Sequence, residues 1–486
     1  MEKLRALDLP EIRLCIARYL NIYDQVQCLQ VCKAWHQTFA PFVWTEAMIV
    51  GNPAGEFLRG PSPEAIERHR DLVVHLRFED HFDKCYALHY PKLQALWLHT
   101  TEGSACNLFR QAHHPTAVIA ANPSLVDIAL VKVEMPSGAH FWTAVGELPL
   151  LETMVMGMVS IADKTAVHAF WQACQKLEKL FMASVSMSGG GFDFDRLNFP
   201  RLETLALKRL VGVDVAEQLW MIVQCPFLKE LCWEVEMKGI NVFWEDYPSR
   251  FPNGAWPNLK SLQLGHNIQD SDVALALGGV WQAEELTLLG VYFGPLASKA
   301  IHRHFSTLRM VDLGVCFHAD SSTMLQILVS CPLLEEFYAP VIFADDIVDA
   351  GPWACLSLVH LAVEIVFFDG EEDLQPQVFD RLSPLSRLRV LCPGGPPPFD
   401  EESRRIPLDF RLQSGLGVLS NLKGLRVLNF GATQQHLGEE EVRWMLTHWE
   451  ALRVVAAVTL ARVGSNGSGV NVSRMQAIFG IGDLTG

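Results

Sequence analysis

Cysteine is scarce in this sequence, and the cysteines that occur are not spaced to bind a metal. There are 12 in 486 residues, and no Cys-x-x-Cys pair is present. This pattern excludes a disulfide scaffold, a zinc ribbon and a thioredoxin-like redox motif. His99 and the pair His113-His114 have no paired-Cys or His-Glu-x-x-His partner, so we expect loop histidines in solvent, with no metal and no cofactor.

Long apolar runs and an excess of basic residues are also missing. No stretch of about 18 uncharged apolar residues is present, and the first residues lack the apolar run of a signal peptide. Asp plus Glu (55) outnumber Lys plus Arg (39), and the resulting net charge of −16 repels nucleic-acid phosphates. We therefore expect a soluble intracellular protein, cytoplasmic or nuclear, with neither a membrane nor a nucleic acid as its partner.

Apolar residues, by contrast, are abundant. Half of the residues are hydrophobic and only 19% are charged, which excludes wholesale disorder. A chain of 486 residues is too long for one ordinary core. It should therefore contain about three domains, or a repeat array that grows in one dimension.

A short apolar motif recurs along most of the chain. The segment 200–207 reads P-x-L-x-x-L-x-L, and similar segments begin at Pro91, Pro226 and Pro257. Weaker copies bring the total to fifteen, and nine of the fourteen spacings between them are 24–27 residues, within the range of leucine-rich repeats. The first apolar residues of the copies are Val73, Leu93, Leu125, Leu151, Leu177, Leu202, Leu228, Leu259, Ala283, Leu308, Leu334, Leu358, Leu388, Leu425 and Leu452.

Each copy predicts one strand. In L-x-x-L-x-L the second and third leucines alternate like a strand that faces a core. Patterns of helical period, as in 165–174, 215–223 and 322–329, precede several of these strands. We predict an α/β repeat solenoid of about 15 degenerate repeats with a parallel concave sheet. A doubly wound α/β domain, which also alternates strand and helix, is the alternative.

The array resembles the cysteine-containing kind of leucine-rich repeat, which implies a horseshoe. Cys174, Cys225 and Cys331 each lie three residues before a first leucine, and we interpret them as small apolar packers rather than reactive thiols. The family often places Asn or Cys eight residues after the first leucine. Asn267 and Cys316 occupy that position in two repeats, but other repeats carry an aliphatic residue there, so we expect less regular turns; these residues are Val133, Val159, Leu210, Val291 and Val366.

The first fifty residues follow a different pattern. Pro10 suits the first turn of a helix, Asp24 is placed to cap a second one, and a third segment presents Trp35, Phe39 and Trp44. A three-helix unit of about 45 residues is too small to bury its apolar side chains alone. Some of them must therefore meet the repeat array or a partner.

This N-terminal unit resembles an F-box. The resemblance rests on the Leu9-Pro10-Glu11-Ile12 opening, the Val31-Cys32-Lys33-x-Trp35 signature, and Phe39 followed by Trp44, and it covers about a tenth of the chain. It implies docking to the adaptor subunit of an SCF-type (cullin-RING) ubiquitin ligase. The residues that would contact the adaptor or pack beneath the contact are Leu9, Pro10, Ile12, Ile16, Leu20, Leu29, Val31 and Trp35. The alternative is a helical cap on the array that binds no ligase.

Two segments are candidates for binding a target protein. The outward positions of the middle repeats form an acidic strip that favours a basic partner, although ordinary solubility is the simpler explanation. Aromatic residues such as Trp244 and Tyr247 lie in a long excursion between strands, where they either anchor a partner or pack back onto the array. The acidic strip comprises Glu284, Glu285, Asp312, Glu335, Glu336 and Tyr338.

No set of nucleophile, base and orienting group emerges from the sequence. We therefore predict a substrate-recognition subunit of an SCF-type ubiquitin ligase without enzymatic activity of its own. A leucine-rich-repeat scaffold outside any ligase and an enzyme with a site between Ile365 and Leu419 are the alternatives. The predicted domains are an F-box-like module (1–50), a linker with a bridging helix (51–70), the repeat array (71–463) and a Gly/Ser-rich tail (464–486).

Overall fold

A computed structural model describes most of the chain. The described residues are 7, 9–51, 57–59, 61–79, 88–100, 115–133, 135, 137–188, 197–235, 256–266, 268–394, 406–431, 433, 435 and 437–456. They divide into two compact units, Met1–Leu228 and Lys229–Gly486, and each unit is described by itself.

The first unit begins with three helices. They are α1 (Pro10–Tyr19), α2 (Ile22–Cys28) and α3 (Lys33–Thr45). Pro10 occupies the first turn of α1 as predicted, but the cap of α2 is Asn21 and not Asp24. The side-chain oxygen of Asn21 accepts a hydrogen bond from the backbone N–H of Asp24 at 3.0 Å, because the capping residue lies outside the helix and Asp24 lies in its first turn. Helix α3 packs against both others, with Ala17 and Phe39 fully buried.

Helix α3 leads without a linker into the first strand of the sheet. Strand β1 (Glu46–Gly51) pairs in parallel with β3 (His75–Glu79). Trp44, Ala47 and Ile49 are buried and have the spacing of the three leucines in L-x-x-L-x-L. The parallel ladder of the first unit therefore begins at Glu46, within the stretch predicted as the helical module and one strand before the first predicted repeat.

The other strands of the first unit continue this parallel ladder. The ladder order is β1–β3–β4–β5–β6–β8–β10, while β2 pairs antiparallel with β1, and β7 and β9 form a separate pair. The strands are β2 (Phe57–Arg59), β4 (Ala95–His99), β5 (Asp127–Val131), β6 (Thr153–Gly157), β7 (Ser160–Ile161), β8 (Lys179–Ala183), β9 (Ser186–Met187) and β10 (Thr204–Lys208). The helices are α4 (Pro63–His69), α5 (Pro115–Ala121), α6 (His140–Glu147), α7 (Lys164–Cys174) and α8 (Val215–Val223).

The second unit carries a parallel ladder of its own. Its order is β11–β12–β13–β14–β15–β16–β17–β19–β20, and β18 pairs antiparallel with β16. The strands are β11 (Glu230–Glu234), β12 (Ser261–Gly265), β13 (Glu285–Tyr292), β14 (Met310–Phe317), β15 (Glu336–Phe343), β16 (His360–Phe367), β17 (Val390–Cys392), β18 (Ile406–Pro407), β19 (Val427–Asn429) and β20 (Val454–Ala456). The helices are α9 (Asp270–Gly279), α10 (Pro295–Ile301), α11 (Ser321–Ser330), α12 (Ala344–Asp349), α13 (Gln375–Leu382) and α14 (Glu439–His448).

All fifteen predicted repeats are confirmed. Each contains a parallel strand that begins two residues after the first apolar residue of the motif. None of those first residues is more than 6% exposed. Within each unit the parallel strands pair in chain order, which is the topology of a repeat array; a doubly wound sheet would reverse its strand order.

The turns after four consecutive strands are more regular than predicted. One residue after the strand, a non-glycine side chain adopts a left-handed backbone with φ between 52° and 56°; the four residues are Lys132, Met158, Ser184 and Arg209. The residue that follows each of them is buried; these residues are Val133, Val159, Val185 and Leu210. The aliphatic residue anchors the turn from inside the core, so the regular turn does not require Asn or Cys at this position.

The repeat cysteines are buried packing residues, as predicted. Cys174, Cys225 and Cys331 are fully buried, and burial raises the pKa of each thiol. Cys355 has the same position three residues before Leu358, which the sequence reading missed, and burial raises its pKa to about 12. At ordinary pH these thiols stay protonated and unreactive.

Candidate functional site

The three N-terminal helices leave a large apolar surface exposed. Tyr19 is 91% exposed, Tyr23 is 73% exposed and Val31 is 61% exposed. We call the whole set the N-terminal apolar patch; it comprises Leu7, Leu9, Ile12, Leu14, Tyr19, Ile22, Tyr23, Val26 and Val31. So dense a set of exposed large apolar side chains is typical of a surface that another protein covers.

The predicted N-terminal site residues separate into two groups. Leu9, Pro10, Ile12 and Val31 are exposed, whereas four others are half-buried: Ile16, Leu20, Leu29 and Trp35. The half-buried group supports the surface from beneath, and the Trp35 ring stacks on Phe39 with centroids 5.2 Å apart. Six exposed members of the patch were not among the predicted site residues: Leu7, Leu14, Tyr19, Ile22, Tyr23 and Val26. The sequence could have indicated them, because α1 and α2 carry more apolar residues than the core of a three-helix unit can bury.

Gln25 fixes the connection between α1 and α2 beneath this patch. Its side-chain amide donates hydrogen bonds to the carbonyl oxygens of Ala17 at 2.8 Å and Leu20 at 3.0 Å. These carbonyls lie at the end of α1, where no further turn of helix satisfies them. The bonds hold the two helices in one relative orientation and therefore preserve the shape of the exposed patch.

The outward face of the first unit's sheet carries a row of apolar side chains. Strand register places Met48, Arg77, Trp97, Ala129, Val155, Phe181 and Ala206 opposite one another on seven adjacent strands. We call this set the middle row. Five of its members, Met48, Arg77, Trp97, Ala129 and Val155, line a groove of about 550 Å³, together with residues that include Glu46, His75, Asp127 and Thr153. No sequence motif indicated this groove, because outward positions are unspecified in L-x-x-L-x-L.

Charge around this groove is only partly balanced. The Arg77 guanidinium lies 5.8 Å from the centre of the Trp97 ring and forms an ion pair with Glu79 at 2.6 Å. His75 lies 3.6 Å from the Glu46 carboxylate. The carboxylate of Asp127 is half-buried, and no described residue forms an ion pair or hydrogen bond with it.

The predicted acidic strip lies on adjacent repeats of the second unit, but two of its five carboxylates are neutralised by ion pairs. Glu284 forms an ion pair with Lys260 and Glu335 forms one with Arg309, each at 2.6 Å. In the register, Met310 separates Glu285 from Glu336. The strip is therefore less acidic than its sequence indicates.

Tyr338 and its neighbours form a small polar cluster in the strip. The Tyr338 hydroxyl donates to Glu336 at 3.0 Å and lies 2.9 Å from Nδ1 of His360. Burial, together with the bond to Glu336, raises the pKa of Tyr338 above its usual range, and burial lowers the pKa of His360. The predicted aromatic anchors Trp244 and Tyr247 lie outside the described residues.

In the described part of the segment between Ile365 and Leu419, Asp409 is the centre of a local cluster of polar groups. The Asp409 carboxylate accepts hydrogen bonds from Arg411 Nε at 2.6 Å and Ser414 Oγ at 2.5 Å, which stabilise the turn. Within the described ranges, no group of His, Cys, Asp and Glu is placed to hold a metal ion. Among the helices that the structure describes, none combines the length and apolarity needed to cross a membrane.

Comparisons with known proteins give one family match and two distant structural similarities. The F-box domain model matches residues 6–40. An internalin from Listeria monocytogenes is 13% identical over 71% of this chain and 85% of its own, with a TM-score of 0.42. The leucine-rich-repeat ectodomain of the Arabidopsis receptor kinase HAESA is 11% identical over 79% of this chain and 57% of its own, with a TM-score of 0.36. No curated protein matches the sequence.

At such low similarity, the repeat assignment rests on the strand register and the buried leucines and not on the two solved structures. The matched F-box region spans α1, α2 and most of α3, and it includes all nine residues of the N-terminal apolar patch. Together, the F-box domain and the ladder of repeats that follows it identify the chain as an F-box/leucine-rich-repeat protein.

Proposed function

We propose that this protein is the substrate-recognition subunit of an SCF-type ubiquitin ligase. The N-terminal apolar patch binds the adaptor subunit, and the repeat array binds a target protein. The observation that carries the proposal is the coincidence of the F-box match with a patch of nine exposed large apolar residues. In this role the protein is intracellular and catalyses no reaction itself.

The contribution of such a subunit to ubiquitin transfer is proximity. A target held on the repeats meets the ubiquitin-loaded conjugating enzyme as a tethered reactant, at a high effective concentration. Tethering is most useful when the two binding surfaces keep a fixed relation. The direct passage from α3 into β1 supports this, because it joins the F-box to the first unit's sheet without a linker.

Adaptor binding is tested by replacing residues of the patch. Leu9 and Ile12 are 41% and 39% exposed, so each would gain roughly 1 kcal/mol on burial in an interface. We expect Leu9→Ala/Pro10→Ala and, separately, Ile12→Ala/Val31→Ala to reduce recovery of purified adaptor at least tenfold in a pull-down. The reason is that each pair removes apolar contact without opening the repeat core.

Trp281→Ala provides the matched control, because Trp281 is 61% exposed and lies in the second unit. This variant should recover adaptor as the parent protein does, and circular dichroism should be unchanged in all variants. Unchanged recovery with both patch variants would remove the ligase proposal and leave a repeat scaffold that binds no ligase.

Target binding by the acidic strip remains a proposal. Glu285 and Asp312, which form no ion pair with any described residue, favour a basic target segment, and Tyr338 adds an aromatic contact. If this surface binds the target, Glu285→Gln/Asp312→Asn should slow target association at low ionic strength and leave adaptor recovery unchanged. Equal association rates for the variant and the parent protein would exclude the strip.

A further inference from the structure

We propose that the groove on the first unit's sheet binds a segment of the target protein that carries apolar side chains and one lysine or arginine. This inference deepens the proposed function, since it names the chemistry of the target and a docking place near the F-box. Binding of such a segment does not itself depend on adaptor recruitment, so the two proposals can fail separately.

The apolar character of the groove is the first argument. Trp97 is 49% exposed and Met48 is 40% exposed, although both occupy outward positions that are ordinarily polar in a sheet with one open face. Six of the seven side chains in the middle row are apolar. The corresponding row in the second unit has four polar members, Gln263, Thr287, Asp312 and Tyr338, beside Cys232, Ala362 and Cys392. The middle row of the first unit is therefore the more apolar of the two.

The size of the groove fits a peptide segment. Its lining residues come from five adjacent strands, β1, β3, β4, β5 and β6. Five strands at a spacing of about 4.8 Å extend over roughly 19 Å, which accommodates about six residues of extended chain. A volume of about 550 Å³ is also within the range of sites that bind small ligands and side chains.

The charge of the groove determines which segment fits. Asp127 lines it, with Ala95 and Thr153 as register neighbours on either side, and no described residue pairs with its carboxylate. A carboxylate without an ion pair beside an apolar groove favours a bound segment that carries a cation. Arg77 is not free for this role because it pairs with Glu79. A lysine or arginine of the bound segment would supply the missing charge.

The same argument disfavours a second copy of this chain as the occupant. The protein carries a net charge of −16, so two copies repel one another. The groove adds Glu46 and Asp127 to that repulsion. A basic segment from a different protein is electrostatically complementary to it.

The test uses the full chain bound to its adaptor and a phage library of random 12-residue peptides. We expect the selected peptides to share apolar residues and one Lys or Arg. Binding of a fluorescent selected peptide should weaken at least tenfold with Trp97→Ala and with Asp127→Arg. A peptide in which the basic residue is replaced by Glu should bind Asp127→Arg at least tenfold better than the parent protein. Leu150→Ala, 54% exposed in the same unit and away from the groove, is the control that should leave binding unchanged.

Several results would overturn the inference. These are a selected motif without a basic residue, equal peptide binding by Trp97→Ala and the parent protein, or no rescue by the charge-reversed peptide. Concentration-dependent dimerisation abolished by Trp97→Ala would assign the groove to a second copy instead. Normal adaptor recovery by the same variants would show that only the groove assignment, and not the ligase proposal, had failed.

Discussion

Burial of His304 predicts that the second unit loses stability under mildly acidic conditions. His304 follows α10 and is fully buried. Its Nδ1 accepts a hydrogen bond from the backbone N–H of Ala283 at 3.2 Å, and its Nε2 lies 3.1 Å from the carbonyl oxygen of Leu277. Both contacts suit a neutral ring with its proton on Nε2. A second proton, on Nδ1, would face the N–H of Ala283.

The size of the effect follows from the pKa of this histidine. Burial, reinforced by the nearby Arg303 charge and opposed by the bond to Leu277, lowers the pKa of His304 from 6.5 to about 4. The unfolded chain therefore binds a proton first as the pH falls. Stability from this group is present above pH 6.5 and is lost between pH 6.5 and pH 4. At 1.36 kcal/mol per pKa unit, the loss from pH 6.5 to pH 5 is about 2 kcal/mol.

Urea unfolding of the parent protein and of His304→Gln at pH 7 and pH 5 measures this effect. Glutamine keeps a donor and an acceptor but does not titrate, so the difference between the two proteins isolates His304 from other ionisable groups. We expect the free energy of unfolding to fall by about 2 kcal/mol more in the parent protein. His302→Gln, at an exposed histidine two residues away, should behave as the parent does. Parallel losses in the parent protein and His304→Gln would refute the argument.

Two further predictions concern the turns and the thiols. Met158 has a left-handed backbone with φ of 52°, which costs a residue with a side chain about 1–2 kcal/mol. Glycine avoids this cost but loses about 0.5–1 kcal/mol of backbone entropy on folding, so Met158→Gly should stabilise the first unit by up to about 1 kcal/mol in thermal unfolding. A lower melting temperature of the variant would contradict this. Exposed Cys15 and Cys32 should be alkylated by N-ethylmaleimide before buried Cys174, Cys225 and Cys331, and bound adaptor should slow the first two as read by mass spectrometry. Rapid alkylation of Cys225 in the folded protein would contradict the packing role.

The repeat strands were predictable because their signal is local. In each copy, as at Leu177, three apolar residues within six positions determine both the strand and the side that faces the core. The L-x-x-L-x-L pattern misses β1, because the three motif positions there are Trp44, Ala47 and Ile49 instead of leucines. Trp44 also belongs to the F-box signature. The α2 cap was misassigned because Asn21 and Asp24 are both good capping residues, and only the backbone decides which one precedes the helix.

The candidate sites were predictable only in part. Leu9 and Pro10 belong to a contiguous signature, so the F-box surface could be inferred from sequence. The groove could not, because Met48, Trp97 and Val155 are far apart in the chain and meet only through strand register. The ion pairs that neutralise part of the acidic strip could not be predicted from the sequence for a similar reason. Lys260 and Glu284 occupy the same position of consecutive repeats, and pairing between repeats is a property of the folded ladder.

The junction of Thr45 and Glu46 places a strict limit on how the protein varies. Side chains of a strand alternate between its two faces, so one inserted residue there would turn Met48 inward and expose Ile49. Lengthening a surface loop elsewhere disturbs no such alternation. Evolution can therefore change binding specificity by replacing outward residues of the repeats, while the junction between helix and strand keeps its length.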